Sequence, residues 1–127
     1  MKSILITGAS SGIGRATAEL FLSEGWRVGL LARSADKLQE IAATSPNAVA
    51  LPADVTDAAA VETAFATFTG QAGHLDVLFN NAGIFTPQGT IDEIPLQDWH
   101  DAVAVNLTGM FLAARCAFAA MRAQNPQ

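Results

Sequence analysis

Thr7-Gly8-Ala9-Ser10-Ser11-Gly12-Ile13-Gly14 constrains this chain more than any other stretch. It follows the apolar run Ile4-Leu5-Ile6 and leads into apolar residues at helical spacing. The order is strand, glycine turn, helix N-terminus. Such a turn presents backbone N–H groups at the positive end of a helix, where a phosphate can rest. The glycine spacing is Gly-x3-Gly-x-Gly rather than the commoner Gly-x-Gly-x2-Gly of dinucleotide sites. The plainer reading is a tight turn and nothing more. Its place between the first strand and the first helix favours phosphate binding.

Strand-like and helix-like segments alternate over the rest of the chain. Ile4-Leu5-Ile6 reads as the first strand. Ile13, Ala16, Thr17, Leu20 and Phe21 form the expected apolar face of the first helix, closed by Gly25. Val28-Gly29-Leu30-Leu31 is a second strand. Ser34 is the expected N-cap of a helix that buries Leu38 and Ile41, ended by Ser45-Pro46-Asn47. Val49-Ala50-Leu51 is a third strand. Thr56 or Asp57 caps a helix with Val61, Phe65 and Phe68 on one face. Gly70 and Gly73 bracket the turn into a fourth strand, Leu75 to Phe79. A looser stretch runs from Gly83 to Pro95. A long helix follows, from about Asp98 to Arg122, with Trp99, Val103, Leu107, Met110, Phe111, Ala114, Phe118 and Met121 as its apolar stripe. Continuously apolar strands separated by helices imply a parallel sheet covered on both faces. The expected fold is α/β, a doubly wound sheet of about four strands in one domain spanning 1–127, with ligand at the carboxyl ends of the strands.

Composition narrows the partners. The net charge is −5, and the seven Lys and Arg are scattered, which excludes the basic face that nucleic acid requires. Charged residues make up 15% of the chain, where ordinary soluble domains run near 25%. Part of the surface is therefore expected to be covered, by more chain or by a second subunit. Cys116, the single cysteine, excludes an internal disulfide and reads as a buried, inert thiol. The start Met1-Lys2-Ser3 shows no signal peptide, and no apolar stretch approaches a membrane span, Arg115 interrupting the longest. The expected location is the cytoplasm. His74 and His100 stand apart from any metal-spaced partner and read as surface residues. Asp92 and Glu93 read as solvated loop charges.

Four further places carry candidate chemistry. Ala32-Arg33-Ser34 ends the second strand, where dinucleotide sites often hold an acid for the ribose. Here a guanidinium stands instead, suited to a bidentate grip on a 2′-phosphate; otherwise Arg33 is a solvated strand-end charge. Asp54 follows the third strand. Its carboxylate can accept from an adenine amine or can simply serve a turn. Asn80-Asn81-Ala82-Gly83 ends the fourth strand, where paired amides can satisfy neighbouring backbone and Ala-Gly admits close approach of a ligand. Asn106 lies within the last helix, a poor place for Asn on propensity, so a polar role at a bend competes with a tolerated surface residue.

Together these motifs resemble the short-chain dehydrogenase/reductase family. Thr7-Gly8-x3-Gly12-x-Gly14, Asp54-Val55, Asn80-Asn81-Ala82-Gly83 and Val105-Asn106-Leu107-Thr108-Gly109 occur in the family's order and spacing, from Ile4 to about Met121. The resemblance implies a sheet order of 3-2-1-4 and a nicotinamide dinucleotide cofactor. It implies that Thr7, Gly8, Ser10, Ser11, Gly12, Ile13 and Gly14 bind the pyrophosphate, and that Asp54 and Val55 meet the adenine. Asn80, Ala82 and Gly83 would steady the sheet beside the nicotinamide ribose. Asn106 would belong to a catalytic set, its backbone holding a water in a proton relay where the helix bends. Arg33, with no acid at Ala32, looks like the family's NADP-preferring members, so NADP(H) is expected over NAD(H). At Ser11 many such members carry a second basic residue.

The family's general acid is the Tyr of a Tyr-x3-Lys motif, assisted by a Ser, both beyond the segment that matches the last helix. This chain has no Tyr, and its lysines are Lys2 and Lys37. It therefore resembles the amino-terminal, cofactor-binding half of an oxidoreductase for a carbonyl or alcohol substrate, and that half alone is expected to be inactive. The competing readings are a non-catalytic module that binds a dinucleotide or self-associates, and unrelated chemistry on the same fold, for which no nucleophile–base pair is present. A homodimer or homotetramer is expected, built on the open edge of the fourth strand, the last helix, or both.

Overall fold

The computed structural model describes residues 1–85 and 89–124. Residues 86–88 of the loose stretch and the three terminal residues lie outside the described part. The elements are β1 (Ser3–Thr7), α1 (Gly12–Ser23), β2 (Arg27–Ala32), α2 (Ala35–Ala42), β3 (Ala48–Pro52), α3 (Ala58–Ala72) and β4 (Val77–Phe79). A 3-10 turn (Ile91–Glu93) precedes α4 (Leu96–Val103), a π-helical segment (Ala104–Gly109) and α5 (Met110–Ala123). The sheet is parallel throughout, in the order β3-β2-β1-β4.

Alternation along each strand builds two cores. Leu5, Leu31, Val49 and Leu51 point to one face, under Val61, Phe65 and Phe68 of α3 and Ala113 and Ala117 of α5. Ile4, Ile6, Val28 and Leu30 point to the other, under Ala18 of α1 and Leu38 and Ile41 of α2. Each fully buried side chain of this size stabilises by about 1.5–3 kcal/mol. The helix stops follow the sequence: Gly25 and Gly73 both take φ +84°, and the Asp57 side chain caps α3 by accepting from the Ala60 N–H at 3.2 Å.

Three expectations need correction. The buried face of α1 is Gly14 and Ala18, with Phe21 and Leu22 half-buried; Ile13 and Leu20 are 72% and 57% exposed. Small residues four apart let the helix backbone approach the sheet, which moves the larger residues to its flanks. On the last helix Ala102, Gly109, Leu112, Ala113 and Ala117 are buried, while Leu107, Phe111 and Phe118 of the expected stripe are exposed. Trp99, before the π segment, is exposed as well, and past that segment the register shifts. One extra residue in a turn rotates everything after it by about 100°, so a face counted at 3.6 residues per turn falls out of register. The same continuous helix, Leu96–Ala123, is long and apolar enough by length and composition to cross a membrane, contrary to the expectation that no stretch approaches that limit. In this fold its buried side packs on α3.

β4 is also shorter than expected. Gly70 lies within α3, and Gly73 alone makes the turn. Leu75 precedes the ladder because its backbone is taken by a side chain. Its N–H donates to Gln124 Oε1 at 2.5 Å, and Gln124 Nε2 donates to its carbonyl at 3.1 Å. The other side of β4 is an open edge among the described residues.

Candidate functional site

Two turns meet at the carboxyl end of the sheet. Thr7 ends β1 fully buried, and its hydroxyl oxygen accepts from the N–H groups of Asn81 and Ala82, both at 2.9 Å. Asn81 Nδ2 returns to the carbonyls of Thr7 and Gly8 at 3.3 and 3.4 Å. The turns are in contact. Gly8 has φ +66°, and a Cβ there would lie 3.0 Å from Ala82 Cα. A Cβ on Gly14 would collide with the Gly8 carbonyl oxygen. These glycines are dictated by the approach of helix to turn and of turn to turn.

The helix N-terminus that results is open. The first intrahelical bond of α1 runs from the Arg15 N–H to the Ser11 carbonyl at 3.1 Å. The N–H groups of Gly12, Ile13 and Gly14 therefore have no intrahelical acceptor. Ser11 makes no side-chain cap, and no acidic residue occupies the first turn. Gly12 has φ +56°, with nothing within 4 Å of the place its Cβ would take. This donor set fits a pyrophosphate, which supplies acceptors and negative charge at the positive end of the helix dipole.

A cleft of about 810 Å³ runs from this turn. Its lining includes Ser10, Ser11, Gly12 and Ile13 of the turn and helix start, Arg33 after β2, Asp54 after β3, Ala82 and Gly83 after β4, and Asn106. Gly8 and Val55 line it too, whereas Thr7, Gly14 and Asn80, also expected to bind the cofactor, are not among its lining residues. Asp54 serves the turn after β3. Its Oδ1 accepts from the Thr56 N–H at 2.9 Å and hydroxyl at 2.8 Å. Its Oδ2 has no partner among the described residues and remains available to a ligand. The Thr56 bonds hold its carboxyl below the usual carboxylate range, with the Arg33 charge adding to the effect against partial desolvation. Lys37, on α2, also lines the cleft; sequence reasoning missed it, because only the orientation of α2 brings it there.

Asn106 lies in the π segment, and its side chain is fully engaged. Oδ1 accepts from the Ile84 N–H at 2.8 Å, and Nδ2 donates to the Ile84 carbonyl at 2.9 Å. It thus fastens the chain beyond Gly83 to the helix. Asn80 does not face the cleft; its Nδ2 donates to the Met110 carbonyl at 2.8 Å. Elsewhere, His74 pairs with Asp76 (Nε2–Oδ2 2.9 Å), and no group of three metal-ligating side chains occurs among the described residues. Cys116 is half-buried rather than buried as expected, and burial, with Glu62 nearby, pushes its thiol up.

Comparisons with known proteins agree with this fold. The short chain dehydrogenase family profile matches residues 2–126. Serine 3-dehydrogenase of Rhizobium radiobacter is 38% identical over 109 residues, 85% of this chain and 44% of that protein. The 2-(R)-hydroxypropyl-CoM dehydrogenase of Xanthobacter autotrophicus is 42% identical over 118 residues, 87% of this chain and 47% of that protein. Among solved structures, the 3-ketoacyl-(acyl-carrier-protein) reductase of Brucella melitensis complexed with NADH superposes with a TM-score of 0.90 at 30% identity. That match covers 94% of this chain and 49% of the reductase. The chain spans about half the length of the relatives it matches.

Proposed function

The chain belongs to the short-chain dehydrogenase family, and from that premise we propose that it is the dinucleotide-binding half of an oxidoreductase using NADP(H) on a carbonyl or alcohol substrate. The observation that carries this reading is one cleft shared by the open N-terminus of α1, the Arg33 guanidinium and the free oxygen of Asp54. The nicotinamide of such a cofactor supplies or accepts hydride. The N–H groups of Gly12 and Ile13, with the Ser10 and Ser11 hydroxyls, bind the pyrophosphate. Arg33 takes the 2′-phosphate, and Asp54 and Val55 border the adenine. Ala82 and Gly83 line the ribose near the nicotinamide, in a position fixed by Thr7, Asn80 and Asn81. Asn106 acts as a positioning residue through Ile84, so any part it has in proton transfer falls to its backbone.

The Brucella reductase holds NADH, so the choice between the two cofactors rests on Arg33. No tyrosine is present to act as general acid, and the chain by itself is assigned no turnover. A cytoplasmic protein that self-associates through the β4 edge, α5 or both completes the reading. Calorimetric titration with NADPH and NADH tests it. A charge-assisted contact to phosphate contributes about 1.5–3 kcal/mol, so NADPH should bind roughly tenfold tighter or more, and Arg33→Ala should collapse the ratio. Equal affinity in the wild type, or an unchanged ratio in the variant, refutes the NADP assignment.

A further inference from the structure

We propose that the Gln124 side chain guards the outer edge of β4, occupying the backbone of Leu75 as a neighbouring strand would and keeping the edge of one copy from pairing with that of another. The inference rests on the self-association proposed above, which it assigns to α5. The Asp76 N–H donates to the carbonyl and hydroxyl oxygens of Ser3, both at 3.2 Å, so the Asp76 backbone faces β1. Backbone groups of successive strand residues point to opposite sides, which turns those of Leu75 and Val77 away from β1. Gln124 meets Leu75 on that outward side. A side-chain amide carries the same pairing of acceptor and donor as a peptide group. Its Oε1 accepts from the Leu75 N–H at 2.5 Å, and its Nε2 donates to the Leu75 carbonyl at 3.1 Å, the two bonds that an adjoining strand residue would make. The β1 side is fastened separately. There the Ser3 hydroxyl donates to the His74 carbonyl at 2.7 Å, and the Ser3 N–H to Asp76 Oδ2 at 2.8 Å.

The edge calls for such a device. Leu75-Asp76-Val77-Leu78-Phe79 contains no Lys, Arg or Pro, the residues that discourage one strand edge from meeting another. Its one charged side chain, Asp76, is engaged by His74 at 2.9 Å and by Ser3. The opposite edge of the sheet, β3, ends in Pro52, which has no N–H to offer. With Leu75 taken, the strand is Val77–Phe79, at the lower limit of strand length. With Leu75 released, the edge would run from Leu75 to Phe79, the length of an ordinary strand. α5 ends at Ala123 and Gln124 leaves it with extended backbone, so the end of the helix delivers the amide to the edge.

The test joins amide hydrogen exchange of the wild-type chain with light scattering of variants. In the wild type the Leu75 amide should exchange slowly and the outward Val77 amide at least about tenfold faster. Gln124→Met keeps the length of the side chain and removes both bonds. In a chain carrying Phe111→Glu and Phe118→Glu, which removes the α5 contact, Gln124→Met should raise the mass from 13.2 kDa to at least twice that value. Val77→Pro removes one outward N–H and no bond to β1, so adding it should return the monomer. A folded Gln124→Met chain that stays monomeric overturns the guard, as does an assembly that Val77→Pro leaves intact. Wild-type exchange decides the matter even where Gln124→Met does not fold: a Val77 amide as slow as that of Leu75 overturns the proposal. A monomeric wild type with the expected exchange pattern overturns the self-association and leaves the guard standing.

Discussion

Thr7→Val should be the most damaging substitution of its size in the site, although it changes no charge and little volume. The wild-type hydroxyl oxygen is the acceptor for two N–H groups, those of Asn81 and Ala82, each at 2.9 Å. Valine leaves both without a partner. A fully buried orphan donor costs about 1–3 kcal/mol; both residues are half-buried, so about 1–2 kcal/mol each and about 2–4 kcal/mol together is expected. A domain of this size has about 5–15 kcal/mol in total. Urea unfolding followed by far-ultraviolet circular dichroism should show the midpoint lowered by about 1–2 M, with the slope unchanged. Thr7→Ser keeps the oxygen, loses one buried methyl, and should cost only about 1 kcal/mol. The same contact holds the 81–82 turn against Gly8, so dinucleotide affinity should fall in the valine variant and survive in the serine one. A valine variant no less stable than the serine variant refutes the account.

Two further outcomes follow from the reading of the chain as a binding half. Incubated with NADPH and simple aldehydes or ketones, it should show no turnover, since a positioned acid contributes roughly 10²–10⁴-fold and no tyrosine is present; substrate-dependent loss of NADPH absorbance that persists through repurification refutes this. The chain should self-associate, because Phe111 and Phe118 are 59% and 72% exposed along an apolar groove on α5 and β4 leaves an open edge. Light scattering at micromolar concentration should give an even multiple of 13.2 kDa, reduced to that mass by Phe111→Glu with Phe118→Glu; a folded wild-type monomer refutes it.

The sheet was legible in the sequence because each strand carries its own punctuation. Gly25 and Gly73 declare where helices stop before apolar strands, Asp57 declares where a helix starts, and the glycine turn marks the carboxyl end of the sheet as the candidate ligand face. Helix faces were less legible. The residues that bury best in α1 are the small Gly14 and Ala18, which a count of large apolar residues overlooks. Lys37 escaped notice because only the packing of α2 on the sheet brings it to the cleft, which no local pattern encodes. Asp54 could be read as a turn residue or as a ligand residue; the fold shows the turn role at one oxygen and leaves the other without a partner among the described residues.

The amides show most clearly what a linear reading cannot supply. Asn80, Asn106 and Gln124 are separate polar residues in the sequence, and only the first two stand out there. In the fold they act on one target. Gln124 grips the backbone of Leu75 before β4, Asn80 reaches the Met110 carbonyl from its end, and Asn106 grips the backbone of Ile84 beyond it. A strand of three residues with one neighbour has few ladder bonds to hold its register. Three side-chain amides tie it to a helix of four times its length or more, so the position of the Ala82–Gly83 wall is set by the helix as much as by the sheet. The π segment belongs to that arrangement. It places Asn106 toward Ile84 and turns Leu112, Ala113 and Ala117 onto the core, and the helix thereby serves the cleft and the core at once.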